Sequence, residues 1–496
     1  MSGRKHRKRV RPDVEERARS RALKREKHKR IRTILAIAYG LLFLFAIYVV
    51  LSVFVFGDKE DGQKEAEKKE DVRIEINDDS EPVVPISAED LKAMHEEEER
   101  KKREEEGLSE NEVPNDETEI EQMADKLLAQ MNLDEKIYQM IIVTPEQLTG
   151  TEDVTAAGET TKDSLLKYPV GGIIYFSANL KDPDQTKKML ANTAEYGLKT
   201  EGIPLFLCVD EEGGSVARIG SNKAFKTTKV SPMSQIKSAD AAYEAGHTIG
   251  GYLWNLGFNV DFAPDCDVLT NPDNKVIGDR SFGSDANIVR EYSAAYSNGL
   301  HDAGILSTFK HYPGHGATKD DSHEGTAVTD KTLDELKEAE LVPFAYATSA
   351  GADMVMVSHI SVPSILNDNT PCSLSHTMVT EILKGELAYN GIVVTDALNM
   401  AAISESYSGA DAAVLAIKAG NDMLLMPEEL DLIPEKVKEA IAAGEIDEEQ
   451  INASVKKIII RKLVMTEDRD KKIKEEKERK EKEEQEKQNK KNKKKK

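Results

Sequence analysis

Cysteine is scarce in this sequence, with three in 496 residues. Cys208, Cys266 and Cys372 stand far apart, each in an apolar or turn setting. An odd number without close spacing is evidence against a disulfide-stapled fold and against a cysteine metal site. We therefore expect three buried free thiols.

Positive charge is also in deficit, because the chain carries a formal net charge of -22. Such an excess of acid argues against nucleic acid as the main partner. The charge is unevenly placed: residues 1–32 are strongly basic, whereas residues 58–121 are dominated by Glu and Asp. No internal repeat stands out, which gives no support to a solenoid or propeller.

The run from Thr33 to Phe56 contains no charged residue and is mostly apolar. As a helix it would rise about 36 Å, enough to cross a bilayer core of roughly 30 Å. A cleaved signal peptide is the alternative, but the run is too long for one and no small-x-small cleavage site follows it. We predict a single-pass cell-membrane protein, with residues 1–32 cytoplasmic and everything after Gly57 on the extracellular side.

Two further segments are too polar to build a core. Residues 57–116 are mostly Glu, Lys, Asp and Ser, a composition that cannot offset chain entropy, so we predict a disordered acidic linker. Residues 466–496 are almost entirely Lys and Glu, and we predict a solvated charged tail. A role for this tail in holding an anionic surface polymer stays open.

Between these segments, residues 117–465 alternate short β-rich runs with helical stretches. The β-rich runs are apolar on both faces, which is typical of a parallel sheet covered by helices. Seven or eight such units over about 350 residues fit an α/β fold of the (β/α)₈ TIM-like barrel type better than two open sheets, although strand counting leaves both alive. We place a helix at Leu133 to Ile142, another at Leu333 to Ala350, and the end of one strand at Phe309.

The stretch from Lys310 to His323 is the richest in chemistry. Lys310 and His311 are expected at the carboxyl end of a strand, where barrel enzymes place their catalytic groups. Pro and Gly between residues 313 and 316 disfavour a helix, so the chain can carry Asp321 and His323 on an extended loop. Residues two apart face the same way only in extended backbone. The Asp321 carboxylate could then fix the tautomer of His323 and raise its basicity, as general acid/base work requires.

Two other interpretations fit the composition of this stretch. His311 and His315 have the spacing of two zinc ligands on one helix face, but Pro313 and Gly314 between them argue against that helix. A polar loop without a role is the other alternative, since loops are ordinarily rich in Gly, Asp and Ser. We expect neither a metal nor a cofactor.

Polar residues also follow other predicted strands, namely Asp210, Arg280 and Asp396. Taken singly, an Asp after a strand is often only a helix cap. Together with Lys310 and His311, however, these residues would meet at one mouth of a barrel. Asp210 could accept hydrogen bonds from sugar hydroxyls while the cations donate to further oxygens and keep Asp396 ionised. An ionised carboxylate opposite a proton donor is what cleavage of a glycosidic bond requires.

Between about Ile120 and Met465 the sequence resembles the bacterial β-N-acetylglucosaminidases of glycoside hydrolase family 3, the NagZ type. The motifs that carry the resemblance are Met131–Met140 (MNLDEKIYQM), Asp210–Gly214 (DEEGG) with Arg218, Gly278–Gly283 (GDRSFG), Lys310–Gly316 (KHYPGHG), Asp321–His323 (DSH) and Thr395–Met400 (TDALNM). Any one of them is modest evidence, but all six in order are a specific signal.

The resemblance implies a retaining double displacement that needs no cofactor and no metal. Asp396 would be the nucleophile, and His323, assisted by Asp321, the acid/base. The residues that would bind N-acetylglucosamine are Asp210, Arg280, Lys310 and His311. The expected partners are a terminal GlcNAc glycan such as a cell-wall muropeptide, and the membrane through one N-terminal helix. We expect a monomer.

The sequence also allows other functions. Within the enzymes, a family 3 β-glucosidase or a GlcNAc phosphorylase is the alternative, because a histidine repels phosphate less than a carboxylate would. From another class comes a catalytically inactive protein that binds wall glycans, since a fold alone never establishes activity.

Overall fold

The computed structural model describes residues 119–318 and 327–495. The basic segment predicted at 1–32, the membrane helix predicted at 33–56 and the linker predicted at 57–116 lie outside the described residues. Within the described part, no helix combines the length and the apolar character needed to cross a membrane.

The strands are short and almost entirely buried. In chain order they are β1 (Ile141–Val143), β2 (Gly172–Ile174), β3 (Phe206–Val209), β4 (Glu211–Gly213), β5 (Val216–Ala217), β6 (Val260–Asp261), β7 (Thr308–Tyr312), β8 (Met354–Val357), β9 (Ile392–Thr395) and β10 (Leu424–Leu425).

All strands except the β4–β5 ribbon pair in parallel. One sheet has the order β10-β1-β2-β3-β6 and another the order β7-β8-β9, while β4 and β5 form an antiparallel ribbon. Parallel bridges from Val260 to Leu306 and from Val394 to Met423 connect the two larger sheets. Because the strands run the same way, their carboxyl ends lie on one side of the domain.

Helices separate most of these strands along the chain. They are α1 (Glu119–Gln130), α2 (Leu133–Gln139), α3 (Pro145–Thr149), α4 (Glu159–Lys167), α5 (Pro183–Glu201), α6 (Ala239–Leu256), α7 (Ala286–Ala303), α8 (Leu333–Glu338), α9 (Val342–Ala345), α10 (Pro363–Leu366), a π-helix (Thr377–Glu386), α11 (Ala401–Ser404), α12 (Gly409–Ala419), α13 (Ile433–Ala442) and α14 (Glu448–Lys495).

Helices α6 and α7 show how local sequence sets these boundaries. Ser238 and Asp285 cap their amino ends with side-chain oxygens, and Gly304 closes α7 in the left-handed region at φ 91°. Glycines let the two helices approach closely. A Cβ on Gly246 would lie 2.1 Å from the carbonyl oxygen of Tyr296, so a larger residue there would push the helices apart.

Three predicted boundaries need correction. The helix predicted from Leu133 to Ile142 ends at Gln139, and Ile141–Val143 is instead strand β1, held between β2 and β10. Strand β7 continues to Tyr312 rather than ending at Phe309. The helix predicted over residues 333–350 breaks after Glu338. In the first two cases pairing with neighbouring strands overrides the local pattern.

Candidate active site

The carboxyl ends of the parallel strands bring the predicted site residues to one edge. Asp210 follows β3, Lys310 and His311 lie in the second half of β7, and Asp396 follows β9. A parallel bridge between Asp265 and Lys310 places the loop after β6 directly beside β7.

Lys310 is the centre of a buried charge network. Its Nζ atom lies 2.8 Å from Oδ1 of Asp210 and 2.6 Å from Oε1 of Glu212. Burial by itself lowers the pKa of Lys310, but these two carboxylates outweigh it and raise the pKa above its usual value. Arg218 adds a longer contact, 3.7 Å from its guanidinium to Oδ2 of Asp210. Lys310 is therefore a fixed cation.

Arg280 forms a two-point contact with Glu212. Its Nε and a terminal nitrogen each donate to one carboxylate oxygen of Glu212 at 2.8 Å, the fork geometry that guanidinium groups favour. Burial raises the pKa of Glu212, yet Arg280 and Lys310 outweigh burial and hold that pKa well below its usual range. Glu212 thus stays ionised and orients both cations.

His311 is held between an anion and a cation. Its Nδ1 atom lies 2.7 Å from Oδ2 of Asp267, and its Nε2 atom lies 3.3 Å from a terminal nitrogen of Arg280. Because a guanidinium can only donate, Nε2 accepts and the ring proton sits on Nδ1, where it is donated to Asp267. The surroundings therefore select one tautomer of His311.

Asp267 also holds the loop that follows. The backbone N–H of His315 donates to Oδ1 of Asp267, and the hydroxyl of Thr318 lies 2.9 Å from Nδ1 of His315. A Cβ on Gly316 would lie 2.2 Å from the carbonyl oxygen of Val268, so only glycine fits there. His311 lies in a strand and His315 in a 3₁₀ turn, so the helix that a zinc pair would need is not formed between them.

Asp265, Asp267 and His311 nevertheless place ligand-type atoms within 4.8 Å of one another. Burial and the neighbouring Asp267 raise the pKa of Asp265 well above its usual range, although Arg280 opposes this. A carboxyl group that holds its proton more tightly binds a metal ion less readily, because the metal must displace that proton. The guanidinium of Arg280, 3.5 Å from Asp265, already supplies positive charge here. The donor set therefore fits a metal ion badly.

Asp396 is partly exposed at the end of β9. Its N–H donates to the carbonyl of Val357 on β8, and its Oδ1 accepts the N–H of Ala397 at 2.8 Å. Burial lowers the pKa of His315, and the negative charge of Asp396 is among the influences that oppose this shift. Asp396 is therefore close enough to His315 for its charge to act on that side chain. Asp321 and His323 lie outside the described residues.

The site contains three acidic residues that the sequence prediction did not single out: Glu212, Asp265 and Asp267. The two aspartates could have been found from the chain alone, whereas Glu212 could only be recognised as part of a motif. Glu212 belongs to the motif that begins at Asp210, and the two aspartates follow β6 just as Asp210 follows β3. The position of the two aspartates after the carboxyl end of a strand was the sequence feature that could have identified them.

The chain matches the family model described as the glycosyl hydrolase family 3 N terminal domain over residues 132–460. Among curated proteins, a protein named beta-hexosaminidase A of Pseudoalteromonas piscicida is 33% identical over 319 residues, covering 59% of this chain and 53% of the relative. Beta-hexosaminidase LpqI of Mycobacterium tuberculosis is 34% identical over 337 residues, covering 66% of this chain and 82% of that protein.

Among solved structures, a glycoside hydrolase family 3 β-N-acetylglucosaminidase from Paenibacillus sp. str. FPU-7 superposes with a TM-score of 0.62 at 34% identity. The match covers 68% of this chain and 63% of that one. The chain thus spans about half to four fifths of the length of these relatives.

Proposed function

Since the chain belongs to glycosyl hydrolase family 3, we propose that it is a retaining exo-β-N-acetylglucosaminidase acting on terminal GlcNAc of cell-wall muropeptides or related glycans. The names of the curated relatives, β-hexosaminidases, and of the similar solved structure support hydrolysis of GlcNAc glycosides.

One observation carries the proposal: Asp210, Arg280, Lys310 and His311 are connected by hydrogen bonds or through Glu212. They lie at the same edge of the parallel strands as Asp396. Neutral hydroxyl and amide groups of a sugar are bound by such fixed polar side chains. Asp210 accepts hydrogen bonds from sugar hydroxyls, while Lys310 donates to sugar oxygens. The network is built before substrate arrives, which lowers the cost of binding.

In the first chemical step a carboxylate oxygen of Asp396 attacks the anomeric carbon. The bond from that carbon to the aglycone oxygen breaks, and His323 gives its proton to the departing oxygen. In the second step water attacks the anomeric carbon, His323 takes a proton from it, and the ester to Asp396 breaks. Two inversions retain the β configuration. Asp321 orients the His323 ring throughout.

The fold itself is proposed to be the closed (β/α)₈ barrel expected from the sequence. The parallel bridges that connect β6 to the chain before β7, and β9 to the chain before β10, support closure. We further propose that residues 33–56 anchor the enzyme in the cell membrane with its catalytic domain outside. We also propose that the protein is a monomer.

Turnover of a chromogenic β-GlcNAc tests the function. We expect release of the chromophore with retention of configuration, and loss of turnover in Asp396→Ala. In His323→Ala, turnover should fall by about 10² to 10⁴-fold for a poor leaving group and much less for a good one. Unchanged activity in Asp396→Ala would end the proposal.

Adding phosphate to the assay distinguishes hydrolysis from phosphorolysis. Hydrolysis predicts free N-acetylglucosamine at the same rate with and without phosphate. Faster turnover and a sugar 1-phosphate product would identify a phosphorylase, and preference for a β-glucoside would identify a β-glucosidase. Glycan binding without any turnover would identify an inactive wall-binding protein.

A further inference from the structure

A cleft of about 890 Å³ lies at the end of the domain opposite the candidate active site. It is lined by Gly304, Ile305 and Leu306, which lie shortly before the start of β7, whereas Lys310 and His311 lie in the second half of that strand. Helices α6, α7 and α14 form its walls. Its volume is in the range of small-molecule pockets in proteins.

The cleft is rich in cations, although the whole chain has a net charge of -22. Its cationic side chains are Arg461, Arg469, Lys471, Lys472 and Arg479. The acidic side chains of the lining are Asp302, Asp468 and Glu475, and all three are exposed to water. Lys471 and Arg479 are exposed as well, whereas Arg461, Arg469 and Lys472 are partly buried. Exposed charges are screened by salt far more than buried ones, so these three cations dominate the interior of the cleft.

Two of the guanidinium groups have unfilled hydrogen-bonding capacity. The Nε atoms of Arg461 and Arg469 are buried and find no hydrogen-bond partner among the described residues. Arg461 is otherwise paired, with a terminal nitrogen 2.6 Å from Oδ1 of Asp353. Arg469 makes no ion pair with any residue of 119–318 or 327–495. A buried donor without an acceptor is costly, which suggests a missing acceptor.

The indole ring of Trp254 contacts two of the cationic side chains in the cleft. The guanidinium carbon of Arg469 lies 5.3 Å from the ring centre of Trp254, and Nζ of Lys472 lies 4.9 Å from it. Lys472 also donates to the carbonyl of Asp302 at 2.8 Å. Burial lowers the pKa of Arg469 and the charge of Asp470 only partly opposes this shift, so a further countercharge at this position would relieve the cost of a desolvated cation.

We propose that this cleft is a second binding site, one that takes a phosphate or carboxylate group against Arg469 and Arg461. A planar guanidinium presents donors in the fork geometry that these two oxyanions match. The site is separate from the sugar site, whose cations are already committed to Asp210 and Glu212. A ligand bound here would bridge α14 to α6 and α7 without contacting the catalytic residues.

The sequence supplies a reporter for this site. Trp254 is the single tryptophan of the chain, so all intrinsic tryptophan fluorescence arises at the cleft. The full-length protein is titrated with orthophosphate, tripolyphosphate and citrate, with ionic strength held constant by sodium chloride. We expect a saturable change in fluorescence with at least one of the three. Response to the phosphates alone, or to citrate alone, would narrow the ligand to that oxyanion.

Variants of Arg469 assign the effect. Arg469→Gln should weaken binding by about tenfold or more, since hydrogen bonds to charged groups are worth roughly 1.5–3 kcal/mol. Arg469→Lys keeps the positive charge but lacks the paired donors of a guanidinium, so its affinity for the anion should lie between those of the wild type and Arg469→Gln. The matched control is Arg290→Gln, which removes a guanidinium lying 5.3 Å from the ring of Tyr346 outside the cleft, and should bind as the wild type does.

Because Arg469 contacts the reporter ring, calorimetric titration repeats the comparison independently of fluorescence, and circular dichroism checks that each variant is folded. A wild-type protein that shows no saturable response to any of the three anions would overturn the proposal. So would a folded Arg469→Gln variant that binds them as tightly as the wild type.

Discussion

Lys310 and Asp210 are 100 residues apart in sequence, yet Nζ of Lys310 lies 2.8 Å from Oδ1 of Asp210. The same ammonium lies 2.6 Å from Oε1 of Glu212. One buried cation therefore ties the carboxyl end of β3 to that of β7. This contact makes the proposed sugar-binding surface part of the folded core, so stability and activity should fail together when it is removed.

Replacing Lys310 by Met tests that link. The variant leaves Asp210 and Glu212 without their shared cation, and removing one partner of a buried ion pair costs about 3–5 kcal/mol. We expect that loss in the unfolding free energy measured with urea, with kcat/KM lowered by about 10²-fold or more as the site loosens. Lys199→Met, which removes an exposed pair with Glu195, should change the unfolding free energy by less than about 1 kcal/mol. Equal stability of the two variants would contradict the account.

Asp267 is predicted to act as a positioning residue. Changing it to Asn removes the charge that receives the Nδ1 proton of His311 and the N–H of His315. We expect kcat/KM to fall about 10- to 100-fold, mainly through KM, because a charged hydrogen bond is worth roughly 1.5–3 kcal/mol. Asp273→Asn, an exposed change in the same loop, is the control. Steady-state kinetics that place the whole loss in kcat would argue against a role in sugar binding.

Asp422 should make stability depend on pH. It is buried, with Lys384 and Lys457 each 3.0 Å from one of its oxygens. Burial raises the pKa of Asp422, but the two lysines outweigh burial and lower it. A carboxyl group whose pKa is lower in the folded state than in the unfolded state stabilises the fold. This stabilisation is fully present above the unfolded pKa of about 3.9 and is lost as the pH falls through the folded pKa.

Asp422→Asn should therefore lower the unfolding free energy by about 3–5 kcal/mol at neutral pH. The gap to the wild type should begin to shrink as the pH falls below about 4, where the unfolded chain takes up the proton first, and should continue to shrink as the pH falls through the lower pKa of the folded state. Urea unfolding at neutral and acid pH measures both values. Asp431→Asn, at an exposed position, should show no such pH dependence. A gap that stays constant with pH would show that the charge of Asp422 is not what matters.

Metal removal should leave the activity unchanged. Arg280 supplies the positive charge beside Asp265, and Nδ1 of His311 is occupied by Asp267. Dialysis against a chelator, followed by assay with a chromogenic β-GlcNAc, measures the effect. Activity that disappears on chelation and returns with zinc would instead assign a metal to the Asp265, Asp267 and His311 cluster.

Much of this arrangement could be predicted from the sequence. Apolar runs separated by helical stretches indicate parallel strands. Catalytic groups of such folds lie at the carboxyl ends of the strands, and this rule selected Asp210, Lys310 and Asp396. The structure puts these residues at one edge of the sheets. The three cysteines are buried free thiols, as predicted from their number and spacing.

The remainder depends on partners that are distant in sequence. Strand β1 has three residues, and only its parallel neighbours β2 and β10 distinguish it from the end of a helix. Glu212 could not be ranked above Glu211 from the chain, because only the folded structure shows which partners each carboxylate contacts. Glu212 meets Arg280 and Lys310, whereas Glu211 accepts backbone N–H groups from Arg218 to Gly220.

The most direct test of the account is to trap the sugar on the enzyme. The protein is incubated with a 5-fluoro-β-GlcNAc derivative carrying a good leaving group, digested, and mapped by mass spectrometry. The account predicts one covalently bound sugar on the peptide that contains Asp396, and none in Asp396→Asn. A sugar attached at another residue, or full turnover through an enzyme that never becomes labelled, would contradict it.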